Sequence, residues 1–591
     1  MHQISLNFKI LIIQPPMNIL FKRLLFVFFA IFSFQLTSPV LLNAQTLPVG
    51  DFREEQVRIQ QLFNDSLSIS FSNRPVWKKT YDAFLPESTE DKSLWKQPYD
   101  FLQKTFFEGN ESYDNITLGI YEPFIKNTYN TKFPYGENNG AAWYGRGLTT
   151  EFQGGGFLTS DYVTLTFRPH LIYSENQDFR VPRFVPRDQD GNVLYGHKEL
   201  GFGIDEPFRF GPDSYTDFNL GQTSARIHYK NIEAGLSNET LWWGPGVRYA
   251  LILSNNAPGL KHVFLGTRGP ISIPLGIGKF EFKLIGAWPE DSQYFRTTES
   301  RKRQRFMSGF NFNFSPSVAP NLHLGLSRAV HRYVPEEGLS TADFLSSVNF
   351  FERQIPQSAG GTGGDETNQL VSVYLRWVFP ESHAEIYGEY FREDSFESSR
   401  DLFLEPDHDR AYTFGFQKII ESNWIDFFKV NLEFNSLLPN RTDEVKFQGY
   451  YYTHGSIRQG HTNGGQILGA AIGPGSESQF LSVDGFFDQG KLGVIIQRVV
   501  DNNFFHYEFN QRFVFPNVAG NKDYFNHRVD LNLGLNGAYK VGPVLLRGKV
   551  IYNKKFNYGR YDLGRNFAPD DNFAENDLVN WNFSLSARYL F

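Results

Sequence analysis

Trp581-Asn582-Phe583-Ser584-Leu585-Ser586-Ala587-Arg588-Tyr589-Leu590-Phe591 closes the chain. On an extended strand, where side chains alternate with a period of two, Phe583, Leu585, Ala587, Tyr589 and Phe591 share one face. Asn582, Ser584, Ser586 and Arg588 share the other, with Leu590 the one exception. A soluble sheet core does not accept amides and a cation at alternate positions without partners. A strand with lipid on one side and an aqueous lumen on the other does. The terminal Phe591 on such a strand carries two partner expectations: outer-membrane lipid against the apolar face, and the barrel insertion machinery at the chain end.

Working back from that stretch, the alternation recurs. Val371, Val373, Leu375, Trp377 and Phe379 oppose Ser372, Tyr374 and Arg376. Phe310, Phe312 and Phe314 oppose Asn311 and Asn313, and Leu322, Leu324 and Leu326 oppose His323 and Ser327. Val163, Leu165, Phe167, Leu171 and Tyr173 oppose Thr164, Thr166, Arg168 and His170; Val529, Leu531, Leu533 and Leu535 oppose Asp530, Asn532 and Asn536. Each run is about ten residues, the length a tilted strand needs to cross a bilayer. Roughly 16–18 such runs predict an all-β protein, a large transmembrane antiparallel β-barrel with a small N-terminal helical element. Connections alternate too. Short turns stand at Lys230-Asn231, Pro380-Glu381-Ser382 and Lys540 to Pro543, and long polar stretches near 175–220, 331–368, 436–480 and 553–580, as expected for periplasmic turns and outer loops.

Composition excludes the alternatives. The chain of 591 residues is 17% aromatic and 20% charged, yet its mean hydropathy is -0.38. A helical membrane protein needs runs of about twenty apolar residues, and none follows the first fifty positions. The absence of cysteine rules out a disulfide scaffold, a Cys-ligated zinc site, a thiol nucleophile and a lipid-modified N-terminal Cys. A net charge of -7 argues against nucleic acid as a partner.

Three regions follow. Residues 1–44 read as a secretory signal: Lys22 and Arg23 precede the apolar stretch Leu24 to Phe34, with cleavage after Ala44. Met17 starts a conventional signal on its own. Residues 45–113 read as a partly helical periplasmic element. Asp51 is the N-cap of a helix to Phe63 with Val57, Ile59, Leu62 and Phe63 on its buried face, and a second helical stretch runs from Ser93 to Phe107, with Pro98 against an unbroken helix. Residues 114–591 form the barrel, at the bacterial outer membrane.

The most unusual motif is Trp242-Trp243-Gly244-Pro245-Gly246, followed by Leu251-Ile252-Leu253-Ser254-Asn255-Asn256-Ala257-Pro258. Adjacent tryptophans on a strand point to opposite sides, one to lipid and one to the lumen, and Gly-Pro-Gly then turns the chain sharply. A lumen-facing Trp beside Asn, Arg and Tyr suits a sugar, whose apolar face stacks on rings while its hydroxyls bond to amides. An interface-belt Trp followed by a packing turn is the competing reading. On this chemistry the candidate polysaccharide-binding residues are Trp242, Trp243, Arg248, Tyr249, Asn255 and Asn256.

This motif, with Glu239-Thr240-Leu241 before it, resembles the signature of the capsule assembly protein Wzi family. Ser70-Phe71-Ser72-Asn73-Arg74-Pro75, Asn138-Asn139-Gly140-Ala141, Ala384-Glu385-Ile386-Tyr387-Gly388-Glu389-Tyr390 and Gly465-Gln466-Ile467-Leu468-Gly469 extend the resemblance over most of the chain after the signal. The chain departs from the family in its Phe-rich strands and in its long loops near 331–368 and 436–480. The resemblance implies a non-enzymatic outer-membrane lectin for capsular or extracellular polysaccharide, acting in capsule assembly and surface attachment. It assigns no sugar-binding residue. An outer-membrane hydrolase and a passive channel are the alternatives, the channel being favoured by a lumen that the N-terminal element leaves open.

Other constellations are weaker. Glu385 and Glu389 lie about 13 Å apart on one strand, beyond either glycosidase geometry, and are expected to pair with lumen cations such as Arg376. Asp407 and Asp409, and Asp570, Asp571, Glu575 and Asp577, read as solvated acidic loops rather than calcium ligands. His454 and His461 lack zinc spacing and read as surface residues. Gly360-Gly361-Thr362-Gly363-Gly364 reads as a flexible outer loop. No catalytic residue, metal or cofactor is expected.

Overall fold

The computed structural model describes residues 46–64, 68–77, 94–95, 103–108 (backbone), 116–181, 204–295, 304–349, 367–393, 403–404, 409–439, 451–502, 527–558 and 577–591. The signal read over 1–44, the glycine run 360–364 and the acidic stretch 570–575 lie outside them.

Eighteen antiparallel strands close into one barrel. From Thr117–Asn130 to Leu578–Tyr589 each pairs with its neighbours in chain order, and the last meets the first from Asn582↔Asn130 to Arg588↔Phe124. Closure leaves no unpaired sheet edge, which is the condition for strands to stand in hydrocarbon. The sequence alternation maps onto the wall: Val373, Leu375 and Trp377 are 41–48% exposed, whereas Ser372 and Arg376 between them are 0% exposed. Likewise Trp581, Phe583 and Leu585 are exposed, while Asn580, Asn582 and Ser586 are buried. The outer surface is therefore an apolar girdle and the inner surface is polar.

Local chemistry explains where the ladder is irregular. Pro123 has no N–H, and the register of Thr117–Asn130 against Gly147–Thr159 shifts between Tyr121 and Phe124. The bulge turns the neighbouring Glu122 inward, where it accepts from Arg53 Nη2 at 2.6 Å. Pro169 separates the half-strands Val163–Phe167 and His170–Ser174. Opposite it, Gly221 (φ +59°) separates Tyr215–Asn219 from Ser224–Tyr229, and a Cβ there would lie 2.4 Å from the Arg168 carbonyl oxygen.

The helix Phe52–Phe63 lies inside the barrel at its short-turn end, capped by Asp51, whose side chain accepts from Arg53 N. Phe52, Ile59 and Leu62 pack on Val378, Phe427, Phe486 and Leu545 beside the turns. Its charged positions meet lumen charges. Arg58 pairs with Glu385 at 2.7 Å, Glu55 with Lys429 at 2.6 Å and Lys491 at 2.7 Å, and Asp51 with Arg588 at 2.6 Å. Burial alone would raise the Glu55 carboxyl, but the two lysines outweigh it and hold it below its ordinary range.

The helix expected over Ser93–Phe107 is not what forms. Leu94 and Trp95 sit in a turn, the Trp95 Nε1–H donating to Gly490 O at 2.8 Å. Gln103–Glu108 is a strand paired with Thr117–Tyr121, so strand pairing starts ahead of residue 114. The first barrel strand offers unpaired backbone beyond its bulge, and a tertiary ladder overrides local helix propensity.

Candidate functional site

The segment carrying Trp242-Trp243 is not a spanning strand. It belongs to a long connection between Ile232–Ser237 and Lys261–Thr267 that folds into the lumen. Trp242 and Trp243 pair with Arg74 and Asn73, so both rings are interior, 3% and 0% exposed. The expectation that one meets lipid is thereby corrected: an inward-folded loop has barrel wall around it on all sides. Arg74 stacks over Trp242 at 4.3 Å, and Trp243 packs with Ile285, Leu251 and Leu253. Gly244 (φ +123°) is where the chain turns, its N–H donating to Ser72 O at 3.0 Å; a Cβ would press on the Glu389 carboxylate at 2.7 Å.

Beyond the turn the backbone wraps a carboxylate. Glu433, pointing inward from Phe427–Ser436, accepts the N–H groups of Val247, Arg248 and Tyr249 at 2.8, 2.8 and 2.9 Å, and the Tyr387 hydroxyl at 2.8 Å. From the helix side, Arg58 donates to Pro245 O and Arg74 to Gly246 O. Loop and N-terminal element thus meet inside the lumen.

Above this plug, at the long-loop end, lies a cleft of about 260 Å³. Trp143, Phe179, Phe208 and Tyr558 line it with rings, and Asn139, Asn256 and Gln466 with amides. Trp143 is half-buried and stacks flat on Phe210, centroids 5.1 Å apart with an interplanar angle of 2°; the Tyr215 hydroxyl holds its carbonyl at 3.0 Å. Gln466 donates to Gly140 O and Asn256 to Ile467 O, which fixes both amides in place. Charged groups at the rim are paired, Arg528 with Asp501 at 2.9 Å and Lys555 with Asp530. The wall segment from Ile204 to Phe208 is tied down by Asp205, which accepts the Ser292 N–H and O–H at 2.6 Å each. Burial pushes the Asp205 carboxyl up to about 6, against those two bonds. Fixed rings beside fixed amides thus line a recess about the size of a small ligand.

The six sequence candidates divide. Asn256 lines the outer cleft; Asn255 and Arg248 line a second, deeper cavity. Trp242, Trp243 and Tyr249 present no open ring face, the last being 0% exposed with its hydroxyl donating to Glu137 and accepting from Gln497. Burial, and then Glu137, pushes that hydroxyl well above its ordinary range, so it stays a donor. The cleft residues Trp143, Phe179, Phe208 and Tyr558 escape sequence reading because they come from separate loops; only Trp143 carries a local signal, following Asn138-Asn139-Gly140. Glu385 pairs with Arg376 as expected, Nε to Oε2 at 2.9 Å, and with Arg58 as well. His461 is not at the surface: it is 0% exposed, joins His331 at 2.7 Å and lies 2.6 Å from the Ile252 carbonyl, because the loop from Tyr451 onward also folds inward. Asp577 pairs with Lys554 at 3.0 Å, and no cluster of three metal-ligating side chains occurs among the described residues.

A family model described as capsule assembly protein Wzi matches residues 126–527. No curated protein matches the chain. Among solved structures, the Escherichia coli outer-membrane protein Wzi, described as involved in Group 1 capsule assembly and as a carbohydrate-binding β-barrel, is 14% identical. The match covers 93% of this chain and 100% of that one at a TM-score of 0.54, which shows a shared fold. Acinetobacter baumannii OccAB2 (11% identical, 82% and 100% covered, TM-score 0.39) and a BenF-like porin from Pseudomonas fluorescens (10%, 80% and 99%, TM-score 0.37) are more distant barrels.

Proposed function

Because this chain belongs to the capsule assembly protein Wzi family, we propose that it is an outer-membrane lectin that holds capsular or extracellular polysaccharide at the cell surface. The observation that carries the reading is the ring-and-amide cleft at the long-loop end. A barrel built for passage keeps a wide aqueous channel, whereas here the helix Phe52–Phe63 and the Thr240–Leu260 loop pack into the lumen. Glu385 is held by Arg58 and Arg376, a structural role that favours binding over hydrolysis; Glu389, against expectation, meets no cation among the described residues and accepts from Ser372 at 2.6 Å. The chain reaches its membrane through a leader at 1–44, and the Phe591 strand presents it to the insertion machinery.

Deleting the gene and staining for surface polymer tests the reading, together with binding of that polymer to the purified barrel. We expect polymer to be shed into the medium and Trp143→Ala to weaken binding by roughly 0.5–1.5 kcal/mol, a ring-stacking contact. Normal surface polymer with no binding by the pure protein sinks it, as does steady ion conductance across a planar bilayer.

A further inference from the structure

Between the helix and the outer cleft lies a cavity of about 470 Å³, whose wall shares Glu137 and Asn139 with the cleft above. Its lining inverts the character of the chain. The protein carries a net charge of -7, but this cavity is lined by seven Lys and Arg side chains against three Asp and Glu. Four of the cations are matched: Lys126 by Glu151 at 3.4 Å, Arg248 by Glu137, Lys491 by Glu55 and Arg588 by Asp51.

Arg168, Arg547 and Lys549 are not; among the described residues no carboxylate stands within ion-pairing distance of them. Arg168 is 3% exposed, its guanidinium over the Tyr121 ring at 5.1 Å and its Nε without a hydrogen-bond partner. Arg547 and Lys549 project from the same face of Val544–Phe556, two residues apart. Withdrawing a cation from water without an adjacent counter-charge is costly; Arg168 is buried and Arg547 and Lys549 are half-buried around the same cavity, an arrangement that suits an anion. Carboxylate, like phosphate, is an anion that a guanidinium and an ammonium hold together well. The remaining lining includes the amides Asn138, Gln153, Gln222 and Asn536 and the hydroxyls Thr240, Ser584 and Ser586, groups that match sugar hydroxyls, beside the apolar Val49, Phe124 and Val247.

We propose that this cavity is a subsite for a uronate: a sugar ring whose carboxylate is held by Arg168, Arg547 and Lys549 and whose hydroxyls meet the amides. The proposal rests on the lectin reading and adds the charge of the polymer. The outer cleft stacks the chain, and the deeper cavity selects an acidic residue or end from it.

The test uses the full-length purified barrel, a glucuronate-containing tetrasaccharide and its carboxyl-reduced counterpart. We expect the acidic form to bind on the order of tenfold more tightly, with the preference fading between about 50 and 300 mM salt. Arg547→Gln with Lys549→Gln abolishes the preference while the neutral form binds as before, and Lys549→Arg retains it. Unchanged heat-modifiable migration in a gel shows that the variants fold. Equal binding of the two tetrasaccharides, or a preference that survives the double substitution, overturns the proposal. So does inorganic phosphate competing as strongly as the tetrasaccharide, which marks a site for charge alone. Polymer binding without any charge preference overturns this proposal and leaves the lectin reading standing; no binding of the polymer or of either tetrasaccharide overturns both.

Discussion

Glu433 shows how much one side chain organises. Three consecutive backbone N–H groups and a tyrosine hydroxyl converge on its carboxylate, and these set the path of the chain just after the glycine turn. Glu433→Ala leaves those three buried donors without a partner, at about 1–3 kcal/mol each. Amide exchange at Val247–Tyr249 is expected to accelerate by at least tenfold, while the barrel strands stay protected; unchanged exchange there would show that the carboxylate does not hold the loop. Nothing in the sequence marks Glu433. It reads as one inward position of an alternating strand, and its three backbone partners lie 184 to 186 residues away. Trp243, by contrast, is conspicuous in sequence for its motif, but the motif serves packing.

At the level of elements, the helix Phe52–Phe63 is held in the lumen by charge as well as by its apolar face. Arg58, Glu55 and the cap Asp51 each reach a charge on the barrel wall. For Asp51, as for Glu55, burial raises the carboxyl, but Arg588, Arg53 and Arg168 outweigh it and depress it. A depressed carboxylate stabilises the folded state above its unfolded value, here near 4, and that contribution is lost as pH falls through the native value. The helix is therefore expected to stay docked at neutral pH and to loosen below about pH 4, read as proteolysis or amide exchange at 52–63 with the strands still intact. Protection of the helix that does not change down to pH 2 would contradict this. The helix itself was legible from Asp51 and its periodic apolar residues. Its location was not, because a polar, charged helix looks solvated until a charged lumen is known to surround it. The failed helix at Ser93–Phe107 has the same origin: the strand Gln103–Glu108 exists because Thr117–Tyr121 offers it a ladder.

The whole molecule is a barrel whose outside is apolar and whose inside is packed. Leu585 is 60% exposed near the middle of Leu578–Tyr589. On a protein surrounded by water, Leu585→Lys would change stability little. On a lipid-facing strand it is expected to cost about 2–4 kcal/mol, read as a lowered urea midpoint for folding into vesicles. A cost near zero would remove lipid from that face. Inside the wall the helix and the inward-folded loop leave two recesses among the described residues, the aromatic cleft outside and the cationic cavity beneath it.

By itself the sequence determined the barrel, its approximate strand number, the alternation of short and long connections and the presence of a helix near the start. All of these are written in local periodicity, which needs only neighbouring residues to be read. The tertiary structure alone decided that the 238–260 connection and the stretch from Tyr451 onward fold inward, that the tryptophan pair is core, that Trp143, Phe179, Phe208 and Tyr558 share a cleft, and that Arg168, Arg547 and Lys549 line one cavity. Those groupings join residues up to several hundred positions apart. Only closure of the barrel, which puts strand after strand around a common axis, brings them within reach of one another.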